Sequence, residues 1–465
     1  MKLSHRRGML PLKVVLLLAC LLAPVSVLAQ AEQAKFDELR KVLREELKKT
    51  NTPGAALAIV SGDRVIFAEG FGVANVETGA PVTPDMLFRL GSTTKMFTGA
   101  ALVTLAANGK LKLDAPIGAS ASGLNQKLAR LTAHQLISNT AGMADIQAPF
   151  VSQDDGALAK MVRAWKDDAL FTEPGEIYSY SSAGFWLAGY VVEEVSKKPY
   201  AEAMAELLFE PLGMKRTTLR PSVAMTYPLA MGHSVFGRAS PAVIRPFFNN
   251  VAMWPAGSIF SSVNELSRFV IALMNDGRLD GKQILSPSIS SKLMGKYTTM
   301  PGAPEVSYGY GLLGFEERGV RMFAHGGFSR GYGSMIQMAP EQRFSIIVQT
   351  NKSGETLPQT RARAMELFLT LKPAAAEEKK TVLALSATEA ADFAGQYRNG
   401  TQTWEIINKD GKLFVKQEGN ELPLTRSGKY RLSYGDALEN DFVFVPDAAG
   451  RVKYLFDGLY SAKKI

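Results

Sequence analysis

Apolar residues recur at helical spacing at Phe36, Leu39, Val42, Leu43 and Leu47, which predicts an amphipathic helix over 34–49. Two short apolar runs, 55–60 and 65–68, flank Ser61-Gly62-Asp63 and read as a hairpin. The stretch 92–108 is apolar nearly all round and stops at Gly109, the pattern of a buried helix. Further helices are expected over 184–196, 200–209, 264–276 (stopped by Gly277) and 359–371. Strand-like runs return at 308–315, 320–324, 334–338 and 344–349. Strands at both ends of this region with helices between them predict one sheet assembled from the two ends. That is an α+β arrangement, not a βαβ alternation.

The polar stretch 372–380, Lys-Pro-Ala-Ala-Ala-Glu-Glu-Lys-Lys, reads as a linker. Beyond it the pattern shortens. Runs at 404–407, 413–416, 430–434, 442–445 and 452–456 are separated by turn signals such as 408–411 and 447–450. This predicts a small all-β, barrel-like domain. The expected division is a leader at 1–29, a main domain at 30–371, a linker at 372–387 and the β domain at 388–465. Trp404, Phe414 and Phe442 are expected to form the β domain's own core. Every catalytic candidate precedes the linker, so a chain cut near Ala376 is expected to keep its site.

The first residues do not read as part of the fold. Lys2, Arg6, Arg7 and Lys13 precede an apolar run from Val14 to Leu28, and Val27-Leu28-Ala29 offers small residues before Gln30. This is the pattern of a secretory signal peptide cleaved near Ala29, too short for a membrane span. The protein is expected to be exported, periplasmic or secreted. Leu17-Leu18-Ala19-Cys20 mimics a lipoprotein box, but the apolar run continues past Cys20, so lipid anchoring ranks below plain cleavage. Cys20 is the single cysteine among 465 residues, which leaves the mature chain without a disulfide or thiol chemistry. The formal charge of +9 falls to +5 without the leader, and no run of five basic residues occurs; a nucleic-acid role is not expected. After the leader only His134, His233 and His325 remain, at no metal-ligand spacing, so neither metal nor cofactor is expected.

The chemistry lies in Ser92-Thr93-Thr94-Lys95, then Tyr180-Ser181-Ser182, then His325-Gly326-Gly327. Ser-x-x-Lys alone is weak and recurs at Ser461–Lys464, where it reads as chance. At Ser92 it follows Gly91 and opens an apolar helix, which places Lys95 one turn on and on the same face. The helix dipole favours negative charge at the serine oxygen. A lysine among apolar neighbours loses basicity through desolvation, and the neutral amine can take the serine proton. Tyr180 is a second proton carrier, particularly if cationic neighbours favour its phenolate. A literal Tyr-x-Asn at Tyr397-Arg398-Asn399 falls in the β domain, far from the rest in sequence. Gly327-Phe328-Ser329-Arg330-Gly331 matches a nucleophile elbow, but no histidine follows Ser329 and the surroundings read as strand, so the elbow is rejected. His134 reads as a satisfied helix residue and His233 as a loop residue.

The region from Ala34 to about Leu371 resembles the serine β-lactamase-related family: class C β-lactamases, D-alanyl-D-alanine carboxypeptidases, D-aminopeptidases and family VIII esterases. The matching stretches begin at Phe88 (Phe-Arg-Leu-Gly-Ser-Thr-Thr-Lys), Leu136, Pro174, Glu210, Pro255 (Pro-Ala-Gly-Ser-Ile-Phe-Ser-Ser) and His325. The resemblance implies an antiparallel sheet flanked by helices with a helical subdomain, followed by a small appended β domain. It implies Ser92 as acyl-forming nucleophile, Lys95 as its base and Tyr180 as second proton carrier. The backbone N–H groups of Ser92 and Phe328 would form the oxyanion hole, with Ser182, His325, Gly326 and Gly327 on the substrate. Two positions depart from the pattern. The family usually has asparagine at Ser182, and class C β-lactamases have lysine at His325. The expected activity is therefore cleavage of an ester or amide in a small molecule or short peptide through an acyl-enzyme. The alternatives are a strict class C-like β-lactamase, or a catalytically weak or inactive relative used for binding or assembly.

Overall fold

The computed structural model describes residues 12–148, 152–235, 240–374, 382–417, 419–435 and 440–465. The basic start, the Ala29 cleavage position and Cys20 lie outside the described side chains, and most of the expected linker (375–381) lies outside the described residues. Among the described residues no helix is long and apolar enough to cross a membrane.

The main sheet is built from both ends of the first 350 residues, as the pattern predicts. Its strands are β1 (Gly54–Ser61), β2 (Arg64–Gly72), β3 (Thr298–Met300), β4 (Ala303–Tyr308), β5 (Leu313–Glu317), β6 (Val320–Ser329), β7 (Tyr332–Ala339) and β8 (Phe344–Thr350). They lie in the antiparallel order β2-β1-β8-β7-β6-β5-β4-β3. The register pairs Ala55 with Thr350 across β1 and β8, and Phe328 with Gly333 across β6 and β7. Strand β1 is apolar over seven consecutive residues because both faces are covered. Leu57 and Ile59 face a layer formed by helix α1 (Leu12–Lys49), through Leu39 and Leu43, and by helix α2 (Pro358–Phe368), through Ala364 and Met365.

Ala56, Ala58 and Val60 face the opposite way, into the larger core. That core gathers three helices that carry or support the candidate residues. The first, Thr94–Ala107, follows a tight turn at Gly91–Thr93 and is buried along nearly its whole length. The second, Ser182–Ser196, is capped by Ser181, whose hydroxyl accepts the Gly184 N–H at 3.0 Å. The third, Val263–Met274, is capped by Ser262.

The expected helix at 200–209 begins as Tyr200–Met204 and finishes in a wider π turn at Ala205–Phe209. The expected strand at 308–315 is two strands, β4 and β5, separated by a reversal at 309–312. Gly311 has φ +77°, and a Cβ there would lie 2.6 Å from the Lys95 carbonyl oxygen. The interruption therefore lets this loop press on the helix Thr94–Ala107 that follows Ser92. His233 is not on a loop. It sits buried in a two-residue strand, with Nδ1 3.1 Å from the Asn351 carbonyl.

The C-terminal region is a closed barrel of eight antiparallel strands, preceded by the helix Ala387–Phe393. Five of the eight coincide with the predicted runs. The others, at Gly395–Asn399, Asn420–Gly428 and Ser461–Lys464, have weaker apolar patterns. Phe442 is buried in the barrel core and Trp404 packs against it. Phe414 points the other way, between the inward Leu413 and Val415, with the Lys409 ammonium 5.7 Å from its ring centre.

Candidate active site

Ser92 sits in the Gly91–Thr93 turn that leads into the helix Thr94–Ala107. The turn is wedged against β6. Gly91 has φ +57°, and a Cβ on it would stand 2.4 Å from the Phe328 carbonyl oxygen and 2.8 Å from the Phe328 nitrogen. A Cβ on Gly327 would stand 1.8 Å from the Leu90 carbonyl. Only glycine at both places lets the strand and the turn meet. Thr93 Oγ1 and Ser334 Oγ, 2.8 Å apart, then tie the turn to the sheet, and Ser334 donates to the Leu90 carbonyl at 2.6 Å. The backbone of Phe328 is thus held beside that of Ser92, while the Phe328 side chain is 68% exposed at the cleft. Gly326 is less crowded, its nearest neighbour being the Met335 methyl.

Lys95 is wholly buried one turn along the helix. Its Nζ lies 3.3 Å from Ser92 Oγ, 3.3 Å from Ser182 Oγ and 2.9 Å from the Ala256 carbonyl oxygen. Burial lowers its pKa to about 7. Ala256 belongs to the Pro255–Ser262 stretch, which also fixes the turn: Leu90 N–H donates to Ile259 O, and Ile259 N–H to Thr94 Oγ1.

Tyr180 lies close to Ser92, and its ring centre is 4.7 Å from Lys95 Nζ. Burial pushes its phenol well above the ordinary value, an effect the nearby Ser92 hydroxyl only partly opposes. The phenolate that cationic neighbours would favour is therefore not the resting state. Tyr180 is a neutral O–H, because desolvation outweighs the one nearby amine.

His325 faces the same space, its ring 6.3 Å from that of Tyr180. Nδ1 lies 2.6 Å from the Gly326 carbonyl, so Nδ1 carries the proton; Nε2 then accepts from Tyr308 Oη at 3.2 Å. Burial, followed by the charge of Lys95, lowers its pKa to about 3. It is a neutral imidazole, not a substitute cation.

A cleft of about 260 Å³ opens in front of these groups. Ser92, Ser182 and Phe328 line it, and so do Arg89, Phe248 and Ser329, which the sequence reading did not place there. Arg89 is buried and donates to the Phe248 carbonyl at 2.7 Å and to Ser258 Oγ at 2.9 Å. Burial lowers its pKa to about 10. Ser329 ends strand β6 with no helix after it, and the site's nearby imidazole is bonded elsewhere.

Asn139 was also missed. It accepts the Ser181 N–H through Oδ1 at 3.1 Å and the Ser179 N–H through its carbonyl at 3.0 Å, so it holds the segment carrying Tyr180. It stands in the Leu136 stretch already quoted for the resemblance. His134 is a bonded helix residue, with Nδ1 2.8 Å from Tyr310 Oη. Among the described residues no cluster of potential metal ligands occurs.

The Beta-lactamase family profile matches residues 39–370, which contain all of these groups. The chain belongs to the Beta-lactamase family. Members of this fold family are serine hydrolases. Protein flp of Staphylococcus aureus (strain MW2) is 26% identical over 330 residues, a match covering 69% of this chain and 64% of that protein's length. Penicillin-binding protein 4 of Amycolatopsis lactamdurans is 28% identical over 333 residues, covering 69% and 84%. Among solved structures, SurE superposes with a TM-score of 0.76 at 23% identity, over 93% of this chain and 100% of that one. The octameric penicillin-binding protein homologue from Pyrococcus abyssi gives 0.64 at 23%, over 92% and 100%. The β-lactamase/D-alanine carboxypeptidase from Pseudomonas syringae gives 0.61 at 22%, over 72% and 98%. The structural likeness establishes the β-lactamase/transpeptidase fold.

Proposed function

We propose that this Beta-lactamase family member is an exported serine hydrolase that cleaves an ester or amide of a small molecule or short peptide. The observation that carries the reading is the 3.3 Å approach of a desolvated Lys95 to Ser92 Oγ. At neutral pH about half of such an amine is free base, the form able to take the serine proton. Ser92 Oγ attacks the carbonyl carbon as its proton passes to Lys95. The oxyanion is received by the backbone N–H groups of Ser92 and Phe328. The carbonyl–heteroatom bond then breaks. Neutral Tyr180 gives its proton to the leaving group and recovers one from the Lys95 ammonium. Water hydrolyses the Ser92 ester by the same path in reverse.

The peptidase or esterase type is favoured over a strict β-lactamase by two side chains. Ser182 cannot present the donor and acceptor of an amide. His325 is neutral and brings no cation to a substrate carboxylate. The solved SurE complex contains D-Leu, and the Pseudomonas syringae protein is a β-lactamase/D-alanine carboxypeptidase; both support D-amino-acid peptides as a substrate class to test. The deciding experiment is intact-mass measurement after exposure to a fluorophosphonate, a β-lactam, aryl esters and D-amino-acid peptides, with peptide mapping. An adduct on Ser92 is expected. An adduct on Ser329, or none on any serine, overturns the proposal.

A further inference from the structure

The barrel reaches the catalytic region through its last hairpin. One strand ends at Phe456, the next begins at Ser461, and the connecting turn spans 457–460. Asp457 Oδ1 accepts the Leu459 N–H at 2.9 Å and the Tyr460 N–H at 2.7 Å, which shapes the turn. The Leu459 carbonyl then accepts the N–H of Tyr180 at 3.0 Å. The Tyr460 ring meets the Tyr180 ring edge-on, with centres 6.2 Å apart.

The neighbouring contacts extend the same grip. Ser461 N–H donates to Ser179 Oγ at 3.1 Å, and Ser461 Oγ donates to the Tyr178 carbonyl at 2.6 Å. Asn399, 1% exposed, donates to Ser179 Oγ at 3.3 Å and to the Ser461 carbonyl at 2.7 Å, and it accepts the Asp145 N–H at 2.7 Å. Tyr178 packs its ring between Tyr308 and Phe456. The segment 178–181 therefore lies between Asn139 on one side and the barrel on the other. The Tyr180 N–H, the Tyr178 carbonyl and Ser179 Oγ meet Leu459, Ser461 and Asn399 only when the barrel is seated, so separation would remove these partners.

We propose that the turn 457–460, together with Asn399, is a positioning element for Tyr180, which makes the barrel a constituent of the catalytic site. The inference rests on the proton-carrier role proposed above for Tyr180. It reverses the expectation that a chain cut near Ala376 keeps a competent site.

The test uses the full chain. Tyr460→Ala is expected to slow fluorophosphonate acylation and to lower kcat by about 10-fold or more, with KM little changed, since a small misplacement of a reacting group is costly. Tyr460→Phe, which keeps the ring, should retain the wild-type rate. In a Tyr180→Phe background Tyr460→Ala should cost almost nothing more, because the two act through one group. Backbone amides of 178–182 should exchange with deuterium faster in Tyr460→Ala and in Asn399→Ala, while those of 263–274 stay as in the wild type. An equal loss in both backgrounds, or unchanged amide exchange, overturns the inference. A silent Tyr180→Phe strikes down the role given to Tyr180 itself, and the amide exchange then still decides whether the barrel holds that segment.

Discussion

The Nζ of Lys95 lies as far from Ser182 Oγ as from Ser92 Oγ, 3.3 Å in each case. A neutral amine has two hydrogens and one lone pair. The Ala256 carbonyl and Ser182 Oγ take the hydrogens, which leaves the lone pair for the proton of Ser92. Ser182 thus works on the base as well as on the substrate side of the cleft. Ser182→Ala is expected to lower acylation by about 10-fold, the range of one lost buried hydrogen bond. Ser182→Asn should shift preference towards amides and lactams. Comparing kcat/KM for a short aryl ester and a cephalosporin checks both outcomes; the wild type should favour the ester.

Lys95→Ala and Tyr180→Phe should each lower the acylation rate by roughly 10²–10⁴-fold, the range of a positioned acid–base group. The stability consequence has the opposite sign for lysine. The Lys95 pKa of about 7 lies below that of an exposed lysine, so between that value and about 10.5 the unfolded chain binds more protons than the folded one. Folding is accordingly weakest below pH 7 and gains stability as pH rises through this window. Lys95→Met should be inactive yet more stable at neutral pH, by on the order of 2–4 kcal/mol after the lost hydrogen bonds are counted. Urea unfolding at pH 6 and pH 9 measures it: the wild type should gain from the change in pH and the variant should not.

His325 should leave no mark on the pH–rate profile between pH 5 and 8, because it stays neutral down to about pH 3. The acid limb of kcat/KM is expected near pH 7 and belongs to Lys95. His325→Gln should keep that limb in place, whatever its effect on absolute rate. A limb that moves with His325→Gln would identify the imidazole as the titrating base.

Gly91→Ala should abolish labelling of Ser92 and destabilise the fold by more than about 2 kcal/mol, since both its positive φ and the Phe328 backbone oppose a side chain. Gly327→Ala should do the same against Leu90. Gly79 provides the control. It has a positive φ but open space, so its alanine variant should lose only about 1 kcal/mol and keep its labelling. Thermal melting and fluorophosphonate mapping report the two effects separately.

Much of this arrangement is legible in the sequence because it depends on local periodicity. The apolar run after Ser92 is a buried helix, and the runs at both ends of the main domain are neighbouring strands. The pairing of Ser92 with Lys95 could be read from helical spacing, whereas bringing Tyr180 and His325 to them rested on the family resemblance of the motifs that carry them. Other features depend on tertiary approach and have no local signature. The reversal at 309–312 interrupts an apolar run because a glycine must pass the helix backbone. The neutral states of Tyr180 and His325 follow from burial on all sides, which spacing does not reveal. Asn399 was dismissed for its distance in sequence, yet it lies 3.3 Å from Ser179 because the barrel folds back onto the cleft.

The pairing of Ala55 with Thr350 at the centre of the sheet has a consequence for timing. Contacts this distant in sequence close late, because the chain between them must first be ordered. The strand that carries Phe328 and the barrel turn 457–460 both follow Ser92 in the chain. On the roles proposed above, a growing chain therefore carries Ser92 before its oxyanion partner and before the element that positions Tyr180. On those same roles, acylation competence should follow the docking of both segments onto the Ser92 turn, and not the formation of that turn alone.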